Sequence, residues 1–214
     1  MTESQKFFEE NKFVVIRNLI PPDVALLFYE YTKVVVQSVD CKIAVSPDYN
    51  QYWDGGFGDA QVPNTFFRYG DPLMDTLMML SLNKIQEHTG LELVPNYTYW
   101  RFYQKGDDLK RHTDRGSCEI SSTLCLGYDI SNIDGNVNPD YDWPMFVKDH
   151  RGNDVPIHMK PGDCIIYRGI DVEHWREKFI GLNHSQVFIH YNDTSGPVKN
   201  YLDGRHILGI PKLN

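Results

Sequence analysis

RFYQKGDDLKRHTDRGSCEISSTLCLGYD, residues 101–129, carries two strand-like runs joined through a Gly-Asp-Asp turn. His112 and Asp114 stand one residue apart at the mouth of the second run, flanked by the basic Lys110, Arg111 and Arg115. Residues i and i+2 of an extended chain face the same side, so the imidazole and the carboxylate point at one spot. The pair either holds a metal or caps a turn. A His-x-Asp occurs by chance in many chains, so a third ligand has to come from elsewhere.

It comes from KPGDCIIYRGIDVEHWREKF, residues 160–179, a tight Pro-Gly-Asp turn, an apolar strand, a short loop and then His174. Two neutral imidazoles and one carboxylate on one side of a metal leave its other positions open, an arrangement suited to Fe(II) that must bind a bidentate cosubstrate and O₂. Zinc is the competing metal, but the helical His-Glu-x-x-His that accompanies many zinc sites is absent. His88 falls at a helix end, and His150, His158 and His206 read as structural or solvated.

Around this constellation the hydrophobic pattern changes at about residue 90. Before it lie a short N-terminal helix, a strand over 13–20, and a helix over 23–39 with Leu26, Leu27, Tyr31, Val34 and Val35 at helical spacing. A second long helix covers 71–89, with Asp71 as cap, Pro72 at its first position, and Leu73, Leu77, Leu80 and Ile85 as its stripe. After residue 90 come short strands separated by turn signals at 105–107, 132–142, 151–153, 161–163 and 181–183. The expected class is α+β, mainly β, with a jelly-roll core and the N-terminal helices packed on one sheet. The 214 residues fit a single domain: an N-terminal strand and helices in 1–90, a core in 91–195 and a tail in 196–214. Residues 46–70 read as one long loop rich in Gly and aromatics, with Tyr52, Trp53 and Phe66 as substrate contacts and Arg115 beside them.

The net charge of -8 argues against nucleic acid or an anionic membrane as partner. Four cysteines, none in a Cys-x-x-Cys pair, suggest a reducing compartment, and no signal-like or membrane-length apolar run is present. The expected setting is cytoplasmic.

The segment from Tyr99 to Asp193 resembles the Fe(II)/2-oxoglutarate-dependent oxygenases, in their prolyl-4-hydroxylase-like branch. Tyr103, Gly106, Leu109, His112, Asp114, the strand STLCLGY, the Pro-Gly-Asp turn, His174 and the strand QVFIHY fall in that family's order. The opening FVVIRNLIPPDVALLFYE is also similar to the family's first strand and helix. The resemblance implies a double-stranded β-helix holding Fe(II) by His112, Asp114 and His174. It further implies 2-oxoglutarate and O₂ as cosubstrates, ascorbate as a stimulant, and hydroxylation of a peptidyl or free amino acid or a small metabolite. Asp114 favours hydroxylation over halogenation, because the related halogenases lack that carboxylate. A different reading is a cupin-type jelly roll, a metal-binding protein or isomerase without O₂ chemistry. A nucleic-acid demethylase of the same fold is disfavoured by the acidity.

One departure stands out. The family's basic residue about ten positions after the last ligand is here His184, followed two residues later by Gln186. Arg176 shares the parity of His174, and Arg101 shares that of Tyr103, so either is a possible cation for the cosubstrate. Arg176 is expected as the main anchor, with Tyr103 and one of His184 or Gln186 as neutral donors. The competing expectation for Arg176 is an ion pair with Glu119 or Glu177.

Overall fold

The computed structural model describes residues 1–46, 48–131, 140–199 and 201–213. The turn expected at 132–142 therefore falls mostly outside the described residues. In chain order the elements are α1 (Glu3–Asn11), β1 (Phe13–Ile16), α2 (Pro22–Val45), β2 (Phe66–Tyr69), α3 (Pro72–Thr89), β3 (Leu93–Gln104) and β4 (Leu109–His112). They continue with β5 (Ile120–Asp129), β6 (Met145–Lys148), β7 (Asp154–Ile157), β8 (Cys164–Arg168), β9 (His174–Arg176) and β10 (Asn183–Asp193).

The strands form two antiparallel sheets. The major sheet has the order β1-β8-β5-β10-β3-β2, and the minor sheet has the order β4-β9-β6-β7. This is the expected mixed architecture, with a jelly-roll core and helices to one side. The period of two along each strand sorts the side chains. On β10, Val187, Ile189 and Tyr191 join Phe28, Val36, Met74 and Leu77 of the helices in the largest apolar cluster. The alternate residues His184, Gln186, Phe188 and His190 line the other face, toward the minor sheet. There they stand opposite Tyr103, Arg101, Tyr99 and Tyr97 of β3, respectively.

Local chemistry explains the element ends. Asp71 caps α3 by accepting from the Leu73 N–H at 2.9 Å, and Pro72 sits in the first turn, as expected. The first strand stops at Ile16 because Asn18 takes a left-handed φ of 51° while its N–H donates to Asp163 Oδ1. The helix expected over 23–39 runs to Val45, since neither Gly nor Pro interrupts it.

Two apolar stripes read from the sequence are corrected. Leu26, Leu27 and Val34 are exposed, and α2 instead buries Ala25, Phe28, Tyr29, Thr32, Val36 and Val39. The helix is apolar on more than one side, and Gly127 of β5 decides which side docks: Tyr29 packs on it so closely that a Cβ there would lie 2.6 Å from the ring. Leu80 of α3 is likewise exposed, while Leu77 and Ile85 are buried. The segment 46–70 is not wholly loop, because β2 pairs with β3 inside it.

The tail returns over β3. Buried Arg205 donates to Asp75 Oδ2 at 2.7 Å and to the Asn96 carbonyl at 2.9 Å, which fastens the tail to α3 and β3. Among the described residues no helix is long and apolar enough to cross a membrane.

Candidate metal centre

The short minor-sheet strands bring the two histidines together. β4 and β9 run antiparallel with His112 directly opposite His174, and the rings lie 4.2 Å apart. Asp114 follows β4, and its N–H donates to the Gly169 carbonyl at 2.8 Å, which turns the carboxylate inward. Asp114 Oδ1 lies 3.7 Å from His112 Nε2 and 3.6 Å from His174 Nε2. The three ligand atoms all fall within 4.8 Å of one another.

Each imidazole is oriented by backbone. His112 Nδ1 lies 2.7 Å from the Lys110 carbonyl, and His174 Nδ1 lies 3.0 Å from the Val172 carbonyl. A carbonyl only accepts, so both Nδ1 atoms carry the proton and both Nε2 lone pairs face Asp114. Burial pushes the His174 imidazole pKa down, against the pull of Asp114, so the ring stays neutral and ready to ligate. Asp114 uses its oxygens separately. Oδ1 faces the histidines, while Oδ2 accepts from the Ser121 hydroxyl at 2.8 Å.

Ser121 also lies 3.0 Å from His190 Nδ1. With its proton given to the carboxylate, Ser121 accepts from His190, which leaves His190 Nε2 bare at the cavity wall. A second group, Asp114, Cys118 and His190, converges as tightly. It is the poorer ligand set: burial pushes the Cys118 thiol up to about 12, its sulfur is engaged by the Tyr97 hydroxyl at 2.9 Å, and His190 Nδ1 is held by Ser121.

A cavity of about 380 Å³ opens on the triad. Its floor includes Tyr97, Tyr99 and Phe188, and its rim carries two ion pairs. Arg101 Nη2 donates to both oxygens of Asp59 at 2.9 Å, and Tyr99 donates its hydroxyl to the same carboxylate. Arg115 donates to Asp203 of the tail at 2.8 and 3.0 Å, and its guanidinium lies 4.9 Å from the Tyr97 ring.

Of the residues expected to meet the cosubstrate, Arg101 lines this cavity, and Tyr103, Arg176, His184 and Gln186 are buried in the interior of the jelly roll. Tyr103 and His184 form a buried cross-strand pair, next to the Arg101–Gln186 pair. Arg176 reaches into the interior from β9. Its Nη1 donates to the Trp143 carbonyl, its guanidinium lies 4.6 Å from the Trp143 ring, and its Nη2 has no partner. Glu119 instead accepts from Asn192 Nδ2 and the Asp193 N–H, and neither it nor Glu177 forms an ion pair with Arg176. Burial pushes the Arg176 pKa down to about 10, so the group remains charged at neutral pH. Burial, then the neighbouring Arg176, push the His184 pKa well down, so that ring is neutral. The donor set fits Fe(II), and an orphaned buried guanidinium beside it fits a dicarboxylate.

The substrate contacts fare unevenly. Arg115 lines the cavity. Tyr52 lines an adjoining cavity of about 440 Å³, and exposed Trp53 packs edge-on against it at 5.4 Å. Phe66 is corrected: it is fully buried on the helix side of the major sheet, 5.1 Å from the Trp100 ring, and cannot meet a substrate. Sequence reasoning missed Asp59, Ser121, Gly169 and Asp203. Asp59 alone left a local trace, since it accepts from the Gln61 and Val62 N–H groups in an Asx turn.

No family model matches the sequence, and no curated protein matches it. Solved structures do. A Pseudomonas putida prolyl-4-hydroxylase is similar at a TM-score of 0.58 and 12% identity, covering 90% of this chain and 98% of that chain. An oxidoreductase of the 2OG-Fe(II) oxygenase family from Burkholderia pseudomallei is similar at 0.58 and 12%, covering 92% of each chain. The fold is that of the 2OG-Fe(II) oxygenases. HygX from Streptomyces hygroscopicus, with nickel, 2-oxoglutarate and hygromycin B bound, shares it at a TM-score of 0.56 and 14% identity, covering 91% of this chain and 88% of that chain.

Proposed function

We propose that the protein is an Fe(II)- and 2-oxoglutarate-dependent dioxygenase that hydroxylates a peptidyl or free amino acid or a small metabolite. The carrying observation is the convergence of His112 Nε2, His174 Nε2 and Asp114 Oδ1 at the mouth of a cavity inside a jelly roll. HygX, which shares the fold, holds 2-oxoglutarate, and this supports the same cosubstrate here.

His112, Asp114 and His174 would hold the iron, which with 2-oxoglutarate and O₂ supplies the oxidant for C–H hydroxylation, releasing succinate and CO₂. The protein's own contribution is positional. The Lys110 and Val172 carbonyls keep both imidazoles in the ligating tautomer. Ser121 holds one oxygen of Asp114 and leaves the other for the metal. Leu109, Tyr167 and Phe188 make the cavity wall partly apolar and limit the water around the reacting centre. Four free cysteines support a reducing, cytoplasmic setting.

The test is to add Fe(II), ascorbate and 2-oxoglutarate under air and measure succinate. Slow substrate-free succinate formation is expected, and it should be lost in Asp114→Ala. A cupin-type metal-binding protein or isomerase forms none.

A further inference from the structure

We propose that Arg176 anchors the far carboxylate of 2-oxoglutarate, so that the cation comes from the strand bearing the second histidine and not from the last strand. This rests on the oxygenase reading above. Arg176 is 3% exposed, and among the described residues no carboxylate pairs with it. A guanidinium buried without an anion costs several kcal/mol, so a fold that keeps one there has a use for it. Nη1 is spent on the Trp143 carbonyl, while Nη2 is left without a partner.

The position suits a five-carbon dicarboxylate. Arg176 and His174 share one face of β9, and two residues along a strand span roughly 7 Å. A keto acid chelating at the triad would therefore extend its other carboxylate toward the guanidinium. Nη2 and the remaining hydrogen of Nη1 form the fork that grips a carboxylate with two bonds. The Trp143 ring holds the guanidinium from one side and packs edge-on against Tyr103 at 4.9 Å, so the donor is fixed before the ligand arrives. Gln186 Oε1 is also unpartnered, and the amide turned end over end offers N–H groups instead.

The other candidates are weaker. His184 stands ten residues after His174 on β10, enclosed by the rings of Tyr128, Trp143 and Phe179, a setting hostile to a charged imidazole. Arg101 is charged, but Asp59 already closes it.

The test is calorimetric and needs no turnover. The nickel-loaded protein, without O₂, is titrated with 2-oxoglutarate and with 2-oxobutyrate, which lacks the far carboxylate. Wild type should bind 2-oxoglutarate at least tenfold tighter. Arg176→Leu should lose that preference, weakening 2-oxoglutarate at least tenfold (about 1.4 kcal/mol) with 2-oxobutyrate unchanged. Arg176→Lys should restore part of it, and retained nickel binding in both variants shows that the site is intact. An Arg176→Leu protein that still prefers 2-oxoglutarate, or a preference abolished by His184→Ala instead, overturns the anchor. Wild type that holds nickel and binds neither keto acid overturns the oxygenase reading itself, and the anchor with it.

Discussion

His112 and His174 face each other across the β4–β9 pairing, and each rests its Nδ1 on the carbonyl of the residue two places before it. Both rings are thus oriented by main chain, which cannot swing away as a side-chain partner could. Strand pairing and main-chain carbonyls together organise the site.

Asp114→Ala should weaken anaerobic Fe(II) or Ni(II) binding more than about a hundredfold, since it removes a ligand and not merely its support. Imidazoles ligate only when neutral, so wild-type affinity should also fall on acidification. Metal titration monitored by calorimetry checks both. Unchanged affinity in the variant would remove the basis for the metal site.

Ser121→Ala should weaken metal binding about tenfold, because Asp114 Oδ2 loses its donor. The same change frees His190 Nδ1. Nitrogen NMR of the imidazoles should show His190 protonated at Nδ1 in the wild type and a tautomer mixture in the variant. A wild-type His190 protonated at Nε2 contradicts the hydrogen-bond chain.

Gly169→Ala should disturb the metal site although Gly169 carries no ligand atom. A Cβ there would lie 2.6 Å from Asp114 Oδ2 and 2.7 Å from Ser121 Oγ, and closer still to the Cys118 carbonyl. The expected result is a loss of about 1–3 kcal/mol in stability, together with weaker metal binding. A variant matching wild type in both would show that this turn has slack.

Asp59→Asn should cost about 3 kcal/mol by leaving Arg101 buried without its anion. Burial raises the Asp59 pKa, but Arg101 and the bonds from Tyr99 and the backbone outweigh it and hold the carboxyl below its ordinary range. A depressed pKa adds stability that is full above the unfolded value, about 3.9, and is lost as pH falls through the lower folded value. Thermal melts of the two proteins should therefore differ at pH 5 to 8 and converge in stronger acid. A gap that stays constant to low pH rules out the ion pair as its source.

Much of the site was legible because strand parity is rigid. Parity placed Asp114 beside His112 and Arg176 beside His174, and the resemblance pointed to Tyr103, His184 and Gln186; the structure buries Arg176, Tyr103, His184 and Gln186, with Tyr103 opposite His184. Helix faces were less legible. The docking side of α2 depends on Gly127, distant in sequence, and not on where its leucines fall. Phe66 misled for a related reason: its segment looked like one long aromatic loop, but four of its residues pair with β3 and turn Phe66 toward the helices. Ser121, Gly169 and Asp203 act through contacts between distant segments, which no local pattern encodes.

Both sheets are finished when β10 ends at Asp193, yet the cavity rim still lacks the acid that holds Arg115. That acid, Asp203, lies in a tail that completes no strand. A premature stop codon shortly after Asp193 would thus spare every strand pairing while leaving the cavity mouth open on one side. Such an allele would also strand Asp75 in the core without Arg205, so the tail is at once a wall of the cavity and a buried counter-charge for α3, and its loss would register in stability as well as in substrate handling.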